Sequence, residues 1–236
     1  MKRILFSLTL LLFACSGFAQ KGFGIDGSIG IGRNGGDLVY PFLLEGRAQF
    51  NDYLSVNLGF GLWNSGFKGN WEGNKTETAF TLYRLSSTKT LPSLQAGIRG
   101  QIPVFRLNEK QVRFFVEPKL YFLPFSAQTV NLKEIYYEKK AEETIYKATE
   151  KSDNTRIKSE CHPRLYGGLQ LGLAFELINN VDLAISYGYT RMDLFKDLRD
   201  KSIEDKAAIK WPLNTYLPDT DLQLINISFL VNFDLN

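Results

Sequence analysis

Cysteine, histidine and methionine are scarce in this chain of 236 residues, which holds two, one and two of them. Cys161 and His162 are too few ligands for a structural metal site. No apolar run reaches about 18 residues, so no helix can cross a bilayer. Charge of one sign is also lacking. The 28 basic and 25 acidic residues leave a formal charge of +3, which excludes the basic surface that nucleic-acid binding needs. There is no Gly-rich phosphate loop, no CxxC pair and no acid–base dyad at a usable spacing, and no cofactor is expected. No Pro/Gly/Ser-rich linker divides the sequence, so one domain is expected.

The N-terminus has Lys2 and Arg3, an apolar run from Ile4 to Ala14, and small residues ending in Gly17-Phe18-Ala19 before Gln20. This is the form of a secretory signal, removed over residues 1–20 to leave a mature domain of 21–236. Losing Lys2 and Arg3 lowers the 28 basic residues to 26 against 25 acidic ones, a net charge near +1. Leu12-Phe13-Ala14-Cys15 also matches a lipobox, with Cys15 lipidated. Either way Cys161 is left without a second cysteine to pair with inside the mature domain.

What the chain does have is strict alternation. In eight segments of about ten residues every second position is apolar or small and uncharged, the period of a β-strand. Arg164 to Leu177 shows it best, with Leu165, Gly167, Leu169, Leu171, Leu173, Phe175 and Leu177 on one parity and Tyr166, Gln170 and Glu176 on the other. The remaining strands are expected near 22–32, 40–50, 53–62, 92–102, 112–122, 181–190 and 222–235. The fifth carries Val112, Phe114, Val116, Leu120 and Phe122 on its apolar face, and Pro118 within it predicts a bulge or a lost ladder hydrogen bond. Tight turns are expected at Asn51-Asp52, Asn108-Glu109-Lys110 and Asn179-Asn180. Between them lie longer connections, near 63–91, 124–163 and 191–220, and a brief one at 33–39.

Ten-residue dyad repeats with alternately short and long connections are the signature of a transmembrane β-barrel, apolar face to lipid and polar face to the lumen. A soluble eight-stranded barrel has the same period with the apolar face turned inward. Volume separates the two: such a bore holds its own side chains or one small ligand, and it cannot take the many Leu, Ile and Phe residues of the apolar parity. The expected fold is therefore all-β, an eight-stranded antiparallel transmembrane β-barrel with short periplasmic turns and longer extracellular loops. Outward aromatics fall at two levels that suit interfacial girdles, Phe42, Phe60, Phe122, Tyr187 and Tyr189 near the outer rim and Phe23, Phe50, Phe114, Phe175 and Phe233 near the inner one.

The signal ending Gly17-Phe18-Ala19-Gln20, the eight stripes and the closing strand Asn226 to Asn236 together resemble the small outer-membrane β-barrel proteins of Gram-negative bacteria. These are the OmpA-like and OmpX-like eight-stranded group and the related porin-like β-barrel family. The resemblance implies residence in the outer membrane after export, contact with outer-membrane lipids, and recognition of the last strand by the assembly machinery. In that family the strand ends on an aromatic; here Phe233 stands three residues before the end.

The lumen parity carries Arg47, Arg99, Arg113 and Lys119 against Asp26, Glu45, Glu117, Glu176 and Asp182. So near a balance predicts an interior ion-pair network, since buried charges persist when paired. The expected function is non-enzymatic, a barrel presenting loops 124–163 and 191–220 to an extracellular or envelope partner for structure, adhesion or binding. A narrow pore for small solutes is the alternative. A lipid A-modifying enzyme built on His162 with Ser159 and Glu160 is a third reading, and a soluble ligand-binding barrel a fourth. The loop 124–163 holds seven bases and seven acids among Tyr136, Tyr137, Ile145 and Tyr146, a pattern that can extend a barrel hairpin above the membrane. Leu194, Phe195 and Leu198 after Asp193 predict a short helix.

Overall fold

A computed structural model describes residues 22–34, 37–73, 75–125, 129–139, 145, 147–158, 162–199, 202–204, 210–212, 217 and 220–234. The segment 1–20, Cys15, Ser159, Glu160, Cys161 and Leu235 lie outside the described residues. The chain is a succession of antiparallel strands: β1 (Gly22–Asn34), β2 (Asp37–Asn51), β3 (Leu54–Gly73), β4 (Ala79–Leu107), β5 (Lys110–Leu123), β6 (Thr129–Glu138), β7 (Lys147–Lys158), β8 (Arg164–Ile178), β9 (Val181–Arg191), β10 (Ser202–Glu204), β11 (Lys210–Pro212) and β12 (Asp221–Asp234), with a single helical turn, α1 (Lys196–Arg199), between β9 and β10.

Eight strands close into a ring. β1 pairs with β2, and pairing continues through β3, β4, β5, β8 and β9 to β12, which pairs back with β1 from Gly22↔Asp234 to Asn34↔Leu222. Both described ends of the chain therefore share one end of the ring with the short turns at residues 52–53, 108–109 and 179–180. Those turns are tight because Asn108, Glu109 and Asn180 adopt positive φ of 48°, 68° and 67°, a region where asparagine is well tolerated. At 52–53 the Tyr53 N–H donates to Asn51 Oδ1 at 2.8 Å. Register shifts at Gln49/Asn51, Pro103/Phe105 and Glu176/Ile178 sit beside the same turns, where bulges commonly end barrel pairing. This is the periplasmic end.

Two expectations need correction, and a third is met in one of its two forms. The segment 63–91 is not a loop: β3 and β4 pair without a break from Leu54↔Gly100 to Gly73↔Thr81. Glycine and asparagine there obscured a strand pattern whose polar side faces water. At Pro118 the second of the two expected outcomes holds, a lost ladder hydrogen bond without a bulge. Pairing with β4 lapses between Gly97↔Lys119 and Gly100↔Val116 and resumes in the same register, as one missing donor requires. The second correction is Val112, which is buried, 1% exposed, flanked across the strands by Phe105 and Phe175, because the bulge at Pro103/Phe105 brings a large ring alongside it. The loop 124–163 does extend a hairpin, β6–β7, and β4 carries it: residues 94–107 of β4 pair with β5, while 79–86 pair with β6.

The polarity of the wall inverts part-way up. On β3 the outer face carries Leu54, Val56, Leu58, Phe60 and Leu62, then Asn64, Gly66, Lys68, Asn70 and Glu72; the inner face carries Ser55 and Asn57, then Trp63, Phe67 and Trp71. β4 repeats the change, with Leu94, Ala96, Ile98 and Ile102 outward below and Arg84, Ser86, Thr88 and Thr90 outward above. Hydrocarbon rewards an apolar exterior only as far as it reaches, and beyond it water reverses the preference. Two substitutions on this one face of β4 test the boundary. Ile98→Arg should destabilise the barrel by about 2–4 kcal/mol in lipid vesicles, while Thr88→Arg should change urea unfolding by under about 0.5 kcal/mol.

Candidate functional site

The bore is filled at two levels. In the lower one, Asp26 of β1, Glu45 and Arg47 of β2, Arg99 of β4, and Glu117 and Lys119 of β5 converge, each at most 4% exposed. Arg47 donates to Asp26 at 3.0 Å and, through Nε, to Asn57 Oδ1 at 3.2 Å. Asn57 passes the contact on, donating to Glu117 Oε1 at 2.7 Å. Arg99 Nε donates to Glu117 Oε2 at 2.7 Å while its Nη2 lies 3.4 Å from Asp26. Lys119 reaches both Glu45 oxygens at 2.9 Å and Glu117 at 3.2 Å. Three cations thus face three carboxylates, which is the condition for keeping charges out of water.

Packing around this cluster leaves little slack. The Arg99 guanidinium lies 4.1 Å above the Phe115 ring, a cation–π contact in a dry setting. A Cβ at Gly97 would stand 2.8 Å from Glu117 Oε1, so glycine keeps the carboxylate's place open. Nearer the periplasmic end Arg113 pairs with Asp182 at 2.6 Å, and Asn232 donates to the other Asp182 oxygen at 3.2 Å. Glu176 stands apart: half-buried beside the bulge at Glu176/Ile178, it makes no ion pair among the described residues. It keeps the inward parity, directly opposite Asp182, but stands at the last step before the bulge and the turn, below the central cluster. Asn57 and Phe115, by contrast, were singled out by no charge pattern, although both lie on the inward parity of their strands.

Above the charges the bore becomes apolar. Val39, Leu43, Trp63, Phe67, Trp71, Tyr83, Leu85, Leu91, Tyr121, Leu123, Leu222 and Leu224 belong to one buried cluster, where a polar lumen had been expected throughout. Trp63 packs edge-on to Tyr121 at 5.4 Å and donates its indole N–H to Ser93 Oγ at 2.9 Å. Trp71 stacks on Tyr83 at 5.2 Å. From the extracellular mouth the segment around α1 folds inward, burying Met192, Leu194, Phe195 and Leu198, with Phe195 edge-on to Phe67 at 4.9 Å. Its turn begins as the sequence predicts, Asp193 Oδ1 accepting from the Phe195 N–H at 3.0 Å, while Arg199 holds Asp193 Oδ2 at 2.6 Å.

His162 lies at this rim, exposed, its Nδ1 3.2 Å from Asp197 Oδ1, which also pairs with Arg164. The contact ties the start of β8 to α1. Ser159 and Glu160, the other members of the catalytic alternative, lie outside the described residues. Also at the rim, burial raises the Asp37 carboxyl above the ordinary carboxylate value, offset in part by a backbone hydrogen bond from Lys68. Among the described residues no group of three or more His, Cys, Asp or Glu could hold a metal ion, and no helix is long and apolar enough to cross a membrane.

The outer face of the ring belongs to neither cluster. Phe42, Phe60, Phe122, Tyr187 and Tyr189 are exposed toward one end of the apolar band. At the other, Phe23 lies against Phe233 with ring centroids 6.5 Å apart, and Phe50, Phe114 and Phe175 are half-buried. Between them Ile29, Leu44, Leu58, Ile98, Leu120, Leu171, Ile185 and Ile227 project outward. A closed antiparallel ring with an oily belt outside and charges paired inside is an integral β-barrel of the outer-membrane type.

No protein-family model and no curated protein sequence matches the chain. Solved barrels similar to it include Ail, the attachment invasion locus protein of Yersinia pestis, in complex with the heparin analogue sucrose octasulfate, at 14% identity and a TM-score of 0.35 over 90% of this chain and 97% of that one. The N-terminal β-barrel domain of Pseudomonas aeruginosa OprF is similar at 9% identity and 0.36, over 91% and 98%. Neisserial surface protein A gives 11% and 0.35, over 91% and 96%. At such scores the assignment rests on this chain's own ring and register.

Removing one partner from the central cluster should be costly. Glu117→Gln leaves Arg99 and Lys119 short of a carboxylate and should lower unfolding stability by about 3–5 kcal/mol, measured by urea titration in vesicles. Lys75→Gln, which breaks an exposed pair with Glu72 at 3.0 Å, should change it by less than about 1 kcal/mol.

Proposed function

We propose that this chain is a non-conducting, non-enzymatic barrel of the bacterial outer membrane, whose task is to hold a folded β-sheet surface outside the cell for envelope structure, adhesion or a partner complex. Residues 1–20 act as the export signal in this reading, and the assembly machinery inserts the mature domain. The observation that carries the proposal is the double filling of the bore, by the charge cluster around Glu117 and, above it, by the apolar cluster around Trp63. An eight-stranded ring has no width left for a water column once such side chains occupy it. The charge cluster serves as internal bracing, and the two tiers of outward aromatics serve as interfacial girdles.

The strands that continue past the oily belt, the upper parts of β3 and β4 with β6 and β7, are the surface on offer. Paired backbone makes that surface stiff, and a partner binding it loses little freedom in ordering it. Two experiments test the reading. In planar bilayers the folded protein should show no steady conductance, and stable channels of porin size would overturn the filled-bore account. Trypsin added to intact cells should cut in the connection 139–146 between β6 and β7, and protection of that connection in the absence of any masking partner would count against an extracellular hairpin.

A further inference from the structure

We infer that the outward face of the β3–β4–β6–β7 extension is a binding surface for the phosphate-bearing sugar headgroups of outer-leaflet glycolipids. The inference rests on the outer-membrane reading above and adds a ligand class to it. Registers define the surface. One row across the four strands reads Lys68, Ser86, Asn131 and Arg156, and the next reads Asn70, Arg84, Lys133 and Asn154. All four cations are exposed, on the face opposite to buried Phe67, Tyr83, Leu85 and Leu132. Neither row contains a carboxylate. The nearest acid on the outer face of β3, Glu72, is held by Lys75 at 3.0 Å.

Arg84 and Lys133 are direct cross-strand partners, an arrangement that like charges disfavour. Among the described residues none of Lys68, Arg84, Lys133 and Arg156 makes an ion pair. With strands about 4.8 Å apart the four cations span roughly 15 Å, the scale of an oligosaccharide rather than of one phosphate. A structure that tolerates this repulsion on a folded sheet calls for an external polyanion.

Height selects the source of that polyanion. The oily belt on β3 and β4 ends at Leu62 and Leu94, flanking Pro92, and the basic rows stand three and four steps above the Leu62↔Pro92 pair, just below a small outward apolar pair of Leu82 and Ile135. Each step of two residues rises about 5 Å for strands tilted near 40°, so the cations lie roughly 15–20 Å beyond the hydrocarbon. A phospholipid headgroup layer is only about 5–8 Å deep and ends beneath them. A glycolipid that carries phosphates on sugars projecting above the acyl chains reaches them, and lipids surround a barrel wall on this side by necessity.

The test uses the full chain folded in detergent micelles and four probes at 0.15 M salt: lipopolysaccharide, the same lipopolysaccharide dephosphorylated, phosphatidylglycerol in mixed micelles, and soluble dextran sulfate. Lipopolysaccharide should bind about tenfold or more tighter than each of the other three, and the Lys68→Gln/Arg84→Gln/Lys133→Gln/Arg156→Gln variant should lose about tenfold or more of that affinity. The variant should keep the heat-shifted gel migration of the folded barrel, since all four side chains are exposed. Unchanged lipopolysaccharide binding in the folded variant overturns the inference, as does equal binding of phosphatidylglycerol. Equal binding of dextran sulfate also overturns it, by showing a site for polyanions at large. A chain that never gives the heat-shifted form would instead overturn the barrel reading beneath it.

Discussion

Hydrocarbon offers no hydrogen-bonding partner, so every backbone group within the membrane must be satisfied by another strand, and that requirement closes the sheet on itself. Closure dictates much else. A ring of eight strands has a narrow bore, and side chains must fill it. Alternation then sends every second residue to lipid and leaves the rest to fit together inside. The chain meets the second demand with ion pairs where the outside is oily, and with tryptophan, tyrosine and leucine where the outside is wet.

That exchange of polarity between the faces, at the level of Leu62 and Trp63, divides the molecule into two physical regimes along the same strands. Within the lipid band the outer face is oily, and the inner face holds charges that survive through mutual neutralisation of Asp26, Glu45 and Glu117 by Arg47, Arg99 and Lys119. Beyond the band the wall behaves like a soluble sheet packed on a core. The inward-folded segment with Leu194, Phe195 and Leu198 completes that core.

Legibility in the sequence followed the same division. The lipid-facing stripes were plain because uncharged residues recur at every second position over ten residues, and their volume exceeds what the bore could hold. The tight turns were equally plain, as Asn51, Asn108 and Asn180 mark them. The upper half of β3 and β4 was not, because Gly66, Gly69, Asn64 and Asn70 mimic a loop and because Trp63, Phe67 and Trp71 carry the stripe on the opposite parity. Glu176 and Val112 keep the parity the alternation gives them, but Glu176 stands at the strand end before the turn, and Phe105 and Phe175 cover Val112. No count of charges identified Asn57 as the bridge between Arg47 and Glu117, since its role depends on which side chains meet across the bore.

The sequence by itself determined the number of strands in the ring, the face each membrane strand turns to lipid, the short-turn end and the near balance of interior charge. These follow from local periodicity and from the cost of exposing charge to hydrocarbon. Only the tertiary structure decided which carboxylate meets which cation, that the outer half of the bore is apolar, and that β4 serves both β5 and the β6–β7 hairpin. Those facts depend on register between strands far apart in the chain, and ring closure fixes register where alternation along one strand cannot.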